Sequence, residues 1–313
     1  MKVSVIVPVY AVENLIERCA NSLFAQTLDD IEYIFIDDCS PDNSVNVLQT
    51  VLDLYPSRKS QVKLIRLPEN IGVAAVRRYG IELAEGEYVI CCDSDDCVVA
   101  EMYEQMYIEA KINDSDIVIC DYNINDCHNG NMRITHNLPT DKCVLISKFL
   151  SGRIHSSLCN KLVKRSLYDE DFIYPKGNMR EDLAILIQLL CRAKIVNHLD
   201  RAYYNYYIQP ESISSTSTDK RIVNAFEHSK LNYELIKNYI SLQDYDYSKP
   251  LLALKLSIKM ALWKLRDKKM RNTMWSDFTL HISAIDLICL DVPTSYKLKC
   301  LIIYIQRLFE KQC

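Results

Sequence analysis

Glycine is scarce, with six in 313 residues, and no stretch is low in complexity. Collagenous, linker-like and compositionally disordered readings are therefore excluded. No apolar run is long enough to span a bilayer, and Met1 leads straight into a strand-like run without a secretory leader. A cytoplasmic protein is expected. Cysteine is plentiful, at thirteen, but no C-x-x-C pair occurs and Cys91 and Cys92 are adjacent. That pattern suits neither a disulfide framework nor a metal cluster. Runs such as Val89-Ile90-Cys91-Cys92 read as small core residues in a reducing compartment. No G-x-G-x-x-G follows the first strand-like run, which removes a dinucleotide-dependent oxidoreductase.

Positive charge is short over most of the chain. Residues 249–313 carry twelve Lys/Arg against five Asp/Glu, a balance of +7, so with a net charge of −4 the remainder carries −11. A nucleic-acid binder needs a basic working face, and no nucleic-acid partner is expected. The basic tail is free to meet an anionic surface.

What is present fits a globular enzyme-sized chain: 49% hydrophobic and 25% charged residues, enough length for one large α/β domain and a smaller appendage. Residues 2–9 are a β-branched run containing Pro8, read as a buried strand. Residues 13–26 set Leu15, Ile16, Cys19, Leu23 and Phe24 at helical spacing. Further strands are expected at 31–36, 62–67, 88–92 and 116–122, and helices at 45–54, 74–84, 101–111 and 180–193. The alternation implies a mostly parallel sheet flanked by helices. Ligands of such sheets bind outside the carboxyl ends of the strands, and two acidic clusters fall there. Residues 203–219 read as a loop, aromatic and then rich in Ser and Thr. From 221 onward the pattern is helical. A boundary is placed near 218, with a catalytic domain at 1–218 (halves at about 1–124 and 125–218) and a helical C-terminal region at 219–313.

Three acidic groups carry candidate chemistry. Asp93-Ser94-Asp95 sets two carboxylates one residue apart after a buried strand. They can ligate a hard cation, Mn²⁺ or Mg²⁺, that keeps open positions for diphosphate oxygens; a solvated turn is the bland alternative. Asp37-Asp38 can accept a hydrogen bond from a base N–H such as uracil's, or form an Asx turn or helix cap. Glu181-Asp182 opens an amphipathic helix. It offers a general base for an attacking hydroxyl, or merely decorates a helix N-terminus.

The order of these groups is more telling than any one of them. The run Val3-Ser4-Val5-Ile6-Val7-Pro8-Val9-Tyr10, then Ser22-Leu23-Phe24-Ala25-Gln26-Thr27, then Asp37-Asp38-Cys39-Ser40-Pro41-Asp42-Asn43-Ser44 resembles the first nucleotide-binding stretch of the inverting glycosyltransferases of GT-A fold, family 2. Asn70-Ile71-Gly72 with Arg77 and Gly80 resembles its second stretch, and Glu85-Gly86-Glu87-Tyr88 leading to Asp93-Ser94-Asp95-Asp96 its metal motif. Asn160-Lys161-Leu162, Glu181-Asp182 and Tyr206-Tyr207 with Ser212-Ile213-Ser214 resemble later landmarks, so the likeness covers about residues 2–215.

The resemblance implies a Rossmann-like GT-A domain with a C-terminal helical extension. It implies transfer of a sugar from a nucleotide-diphosphate donor, a UDP-sugar by preference, to a hydroxyl of a glycan or lipid-linked saccharide. Displacement would be direct, with inversion. Asp38 would bind the base, with Pro8 and Tyr10 walling the pocket. Asn70, Gly72, Arg77, Asp93 and Ser94 would lie along the donor, Asp95 would ligate the metal with Asp93 near it, and Asp182 would be the base with Glu181 beside it. Departures are Cys39 where the family usually has Gly, tolerated if its backbone needs no positive φ, and Arg78 where it usually has Asn. Arg78 would place a cation near the diphosphate or face solvent. Some members add a histidine to the metal late in the domain; here Tyr206-Tyr207-Ile208-Gln209 stands in that neighbourhood and the nearest histidine is His198. A non-catalytic sugar-nucleotide or glycan-binding module is the alternative, which loss of Asp95 or Asp182 would favour. Both are present.

The tail interleaves Lys249, Lys255, Lys259, Lys264, Arg266, Lys268, Lys269 and Arg271 with leucines, and residues 298–309 repeat the theme, with Lys297, Lys299, Arg307 and Lys311 flanking apolar residues. Such helices either lie on anionic lipid at the inner membrane face or pack on the domain with charges outward.

Overall fold

The computed structural model describes residues 1–126, 130–135, 137–208, 218–278, 287, 290 and 292–298. The first half alternates as expected: β1 (Val3–Val9), α1 (Ile16–Phe24), β2 (Ile31–Asp37), α2 (Ser44–Asp53), β3 (Val62–Arg66), α3 (Val73–Leu83), β4 (Tyr88–Cys91). β2 and β4 are buried throughout and β1 everywhere except Pro8, as strands covered on both faces must be.

The strands run β3-β2-β1-β4 and all pair in parallel. β1 pairs with β4 only from Val3 to Ile6 but follows β2 as far as Val9. Pro8, which has no N–H to give a ladder, therefore lies past the last β4 partner. The sheet opens there, between β1 and β4, at the strands' carboxyl ends.

Beyond β4 the sheet is mixed, with the expected parallel pairing kept in β1–β4 and in one later pair. β5 (Cys97–Val98), α4 (Met102–Ile112), β6 (Ile117–Asp126), β7 (Gly130–Ile134), α5 (Lys142–Leu150), β8 (Lys161–Lys164), α6 (Glu181–Arg192) and β9 (Val196–Tyr207) follow. β8 runs antiparallel to both β4 and β6, β7 to β6 and β5 to β9, while β6 and β9 are parallel. Residues 203–207, expected as loop, belong to β9, whose register against β6 shifts around Asp121. Their aromatic side chains fit a half-buried strand. Ser212-Ile213-Ser214 lies outside the described residues.

α7 (Asp219–Ile240), α8 (Ser248–Ala261) and α9 (Lys268–Asp277) follow. Their apolar residues Ile222, Phe226, Ile236, Leu254, Leu256, Ile258 and Trp275 join the one core that contains the sheet. The apolar side of α8 is thus turned to protein. Lys259 is 1% exposed, donates to the carbonyls of Trp275 and Phe278, and Lys255 lies 4.5 Å over the Phe278 ring. Lys259 is therefore internal and Lys255 partly buried, so residues 249–271 pack on the domain, though not with every charge outward. Lys264, Arg266, Lys268 and Lys269 are exposed. Residues 299–309 with Lys311 lie outside the described residues. Among those described, no helix is long and apolar enough to cross a membrane, and the nine described cysteines are all free.

Candidate active site

The turn after β2 carries the first acidic pair. Asp37 is buried; its Oδ1 accepts the Ser40 N–H at 3.1 Å and Arg66 Nε lies 3.4 Å from Oδ2, so the turn-forming reading holds for it. Asp38 is buried as well but has different partners. Its N–H donates to the Val9 carbonyl, and its carboxylate accepts the N–H of Ile71 at 2.7 Å and of Gly72 at 2.9 Å. Asn70 Nδ2 donates to the Asp38 carbonyl at 3.2 Å. Each carboxylate oxygen keeps acceptor capacity for a further donor. The segment after β1 is laced to the same turn, with Ala11 N donating to Ser40 Oγ and Val12 N to Ser44 Oγ. Tyr10 is half exposed. Pro8, Tyr10, Asp38 and Asn70–Gly72 thus meet at the ends of β1 and β2.

Cys39 sits at φ +59°. The condition for its tolerance is not met: the backbone is left-handed here, the geometry that favours glycine, and Cys39 adopts it in an exposed turn. Arg78 takes the solvent alternative. It is exposed, bonded to Glu82 at 2.7 Å, with its guanidinium 5.3 Å over Tyr174.

The other acids converge on Arg77. This arginine is carried by α3 and is 4% exposed. Nη2 donates to Asp93 Oδ1 at 3.0 Å, and Nη1 to Glu181 Oε1 at 2.9 Å and to Asp182 Oδ1 at 2.5 Å. A helix, a post-strand turn and the start of α6 are joined on one guanidinium. Its planar fork suits several carboxylates at once. Arg77, expected along the donor, is engaged by these three carboxylates. Asp182 keeps about a fifth of its side-chain surface (21%) and Asp93 a third (34%).

The turn after β4 is held from several sides. Asp96, 1% exposed, accepts Tyr204 Oη at 2.5 Å and the Tyr207 N–H at 2.8 Å, tying the turn to β9. Arg18 donates to the Asp95 carbonyl and stacks 3.5 Å over the Tyr207 ring. Cys159 Sγ donates to Asp93 Oδ2 at 3.1 Å. Ser94 is buried. Lys161 is buried and donates to the carbonyls of His155 and Ser157 and to Asn160 Oδ1, shaping the loop that delivers Cys159. Asp96, Tyr204, Cys159 and the loop role of Lys161 were not singled out from sequence. The only signals were the third acid of the Asp93–Asp96 run and the Asn160-Lys161 pair.

Crowding shapes the electrostatics. Burial, then repulsion from Asp93, pushes the Asp95 carboxyl up to about 6. Burial, with Asp93 and Asp95 adding, pushes Asp96 up to about 8 against its two hydrogen bonds. Burial raises Asp182 to about 7, with Arg77 pulling the other way. Burial lowers Lys161 to about 8. A cation beside Asp93 and Asp95 would relieve their repulsion, and carboxylate oxygens suit a hard divalent ion. No three ligating side chains converge among the described residues, so diphosphate oxygens and water would complete its shell. His198 pairs with Asp121 at 2.8 Å. Burial and Lys161 lower His155, with Asp93 opposing; it is thus the histidine electrostatically tied to this turn.

A half-parallel sheet whose opening between β1 and β4 is rimmed by an acidic turn and a helix-borne carboxylate pair defines the GT-A class of fold. Residues 4–174 match the model of Glycosyl transferase family 2, and the chain belongs to that family. It is 39% identical over 221 residues to the uncharacterized glycosyltransferase EpsJ of Bacillus subtilis (strain 168), covering 68% of this chain and 62% of that protein. It is 30% identical over 225 residues to the uncharacterized glycosyltransferase YibD of Escherichia coli (strain K12), covering 68% and 63%. The chain therefore spans less than two thirds of these two relatives' length. Among solved structures it is similar to S. aureus TarS 1-349 in complex with UDP-GlcNAc, with a TM-score of 0.65, 20% identity, and coverage of 95% of this chain and 83% of that one. That likeness is one of fold.

Proposed function

We propose that this protein transfers a sugar from a UDP-sugar to a hydroxyl of a glycan or lipid-linked saccharide, with inversion at the anomeric carbon. The observation that carries the reading is the convergence of Asp93, Glu181 and Asp182, far apart in sequence, on the single buried guanidinium of Arg77 at the open end of the sheet. The UDP-GlcNAc bound by the structural relative TarS supports a uridine donor.

Asp38 receives the base N–H, with Tyr10 and Pro8 at the wall of the pocket. Asn70 and Gly72 hold Asp38 in place. A divalent cation held by Asp95, with Asp93 beside it, would offset charge on the leaving diphosphate when bound. Asp182 takes the proton of the attacking hydroxyl. Its pKa near 7 suits that exchange, since a base works best with a pKa close to the operating pH. Glu181 and Arg77 fix its orientation. Direct attack needs no covalent intermediate, and the site presents a base rather than an activated side-chain nucleophile. The catalytic unit is placed at 1–218 with the helices after it, and free cysteines throughout the described chain support a cytoplasmic, reducing setting. The exposed Lys264–Lys269 cations leave peripheral contact with an anionic inner membrane face as part of the proposal.

The test is release of UDP from a panel of UDP-sugars with Mn²⁺. Asp182→Asn is expected to lower turnover by about 10²–10⁴-fold with UDP affinity within a few-fold of the parent. Near-normal turnover in that variant would remove Asp182 from its role.

A further inference from the structure

The loop before α6 is built from an unusual set of contacts. Asn178 Oδ1 accepts the N–H of Ala74 at 3.1 Å, capping the first turn of α3. Asn178 also presses on Gly72: a Cβ there would stand 2.2 Å from Asn178 Nδ2, and Gly72 is at φ +84°. Gly72 in turn donates its N–H to the Asp38 carboxylate. On its other side Asn178 is four residues from Asp182, with Arg180 between them at φ +62° as the N-cap of α6.

This loop is held from behind by the C-terminal helices. The Asn178 N–H donates to His228 Nδ1 of α7 at 3.2 Å. Buried Asn232, also of α7, donates through Nδ2 to the carbonyls of Gly177 at 2.8 Å and Met179 at 2.9 Å. A Cβ at Gly177 would stand 2.7 Å from the His228 carbonyl oxygen, so the two backbones are in direct contact. Arg180 Nη2 donates to Ser257 Oγ of α8 at 2.9 Å. Every residue from Gly177 to Arg180 except Met179's side chain is thus anchored to α3, α7 or α8.

We infer that Asn178 is a positioning residue that ties the donor-base turn to the helix carrying the general base, and that α7, through His228 and Asn232, braces it from outside the 1–218 unit. The inference rests on the functional reading above. The path is short: Asp38 to Gly72, Gly72 and Ala74 to Asn178, Asn178 along the backbone to Glu181 and Asp182. Ordering of the donor turn on UDP binding is passed to the start of α6, because the capped α3 turn and the Asn178 amide cannot shift separately. A left-handed N-cap without a side-chain cap bond at Arg180 has little local reason to stay put; the contacts to α7 and α8 supply it.

The experiment compares hydrogen exchange and turnover in the full chain, with UDP and Mn²⁺ as the ligand. In the parent, UDP is expected to slow exchange both in peptides spanning 70–80 and in peptides spanning 178–190. In Asn178→Ala the first effect stays and the second is lost, with kcat down by about tenfold or more. Slowing of both segments in the variant, or kcat within twofold of the parent, overturns the inference. Should Asn178→Ala not fold, His228→Leu is expected to give the same split pattern and His228→Asn, whose Oδ1 can accept in place of Nδ1, to restore the parent's. Equal behaviour of those two variants overturns it as well. A parent that binds no UDP and releases none from any UDP-sugar marks failure of the functional reading itself, whereas UDP binding with protection of 70–80 alone marks failure of this inference.

Discussion

At the scale of single residues, the site is a problem of placing negative charge where little solvent reaches. Asp182 carries the sharpest consequence. Its carboxyl is raised to about 7 by burial, and only the carboxylate can take a proton. Turnover divided by KM should therefore fall as pH drops below about 7, one decade per unit, in a pH profile taken at saturating Mn²⁺. A profile flat down to pH 5 would contradict the assignment. The residues themselves were largely readable: Asp38, Asp93, Asp95, Glu181 and Asp182 were each visible from position relative to strand or helix ends. Their partners were not. Sequence could not say that Asp37 turns inward to Ser40 and Arg66 while Asp38 turns to Gly72, because both acids follow the same strand. Cys39 is the clearest failure of local reasoning. The cysteine itself does not announce φ +59°; the one hint was the glycine that the family usually has there.

At the scale of elements, α3 does two things. Its N-terminus is capped by Asn178, and one turn later it delivers Arg77 beneath three carboxylates. Removing that cation should be costly, because it leaves buried like charges unpaired. Arg77→Met is expected to lose about 3–5 kcal/mol of stability, read from urea unfolding at pH 8, and to recover part of it at pH 6, where carboxyls with raised pKa values take up protons. A loss below about 1 kcal/mol would show the acids to be solvated after all. The strand β4 makes a second demand. Gly86, just before it, lies so close to β1 that a Cβ would stand 2.6 Å from the Ser4 backbone nitrogen. Neither backbone can yield, so Gly86→Ala should cost about 1–3 kcal/mol, measured by thermal melting; an unchanged melting temperature would contradict the packing. The parallel half was legible because fully buried strands and amphipathic helices alternate with strong patterns. β8, β9 and the two-residue β5 were not: β5 and β8 are too short to show a period, and the twelve-residue β9, of mixed burial, has no alternation that separates it from loop.

At the scale of the whole molecule, the C-terminal helices change standing. Composition made them a basic tail, either laid on a lipid surface or packed on the domain. Packing buries their apolar side and even Lys259, and leaves a smaller set of exposed cations. No pattern in the tail could have shown this, because an amphipathic helix reads the same whether its apolar face meets lipid or the Phe226–Phe278 ring contact of a protein core. The same helices stand behind the loop that leads to Asp182, so the proposed site is shared by the acidic body and the basic tail.

That shared site is most directly tested by calorimetry of UDP binding to the full chain, with and without Mn²⁺, in the parent, Asp38→Ala, Asp95→Ala and Asp182→Asn. The account predicts Mn²⁺-dependent binding in the parent, loss of that dependence in Asp95→Ala, weakened binding at any metal concentration in Asp38→Ala, and binding close to the parent's in Asp182→Asn. Equal UDP affinity in all four proteins, unaffected by Mn²⁺, would contradict it.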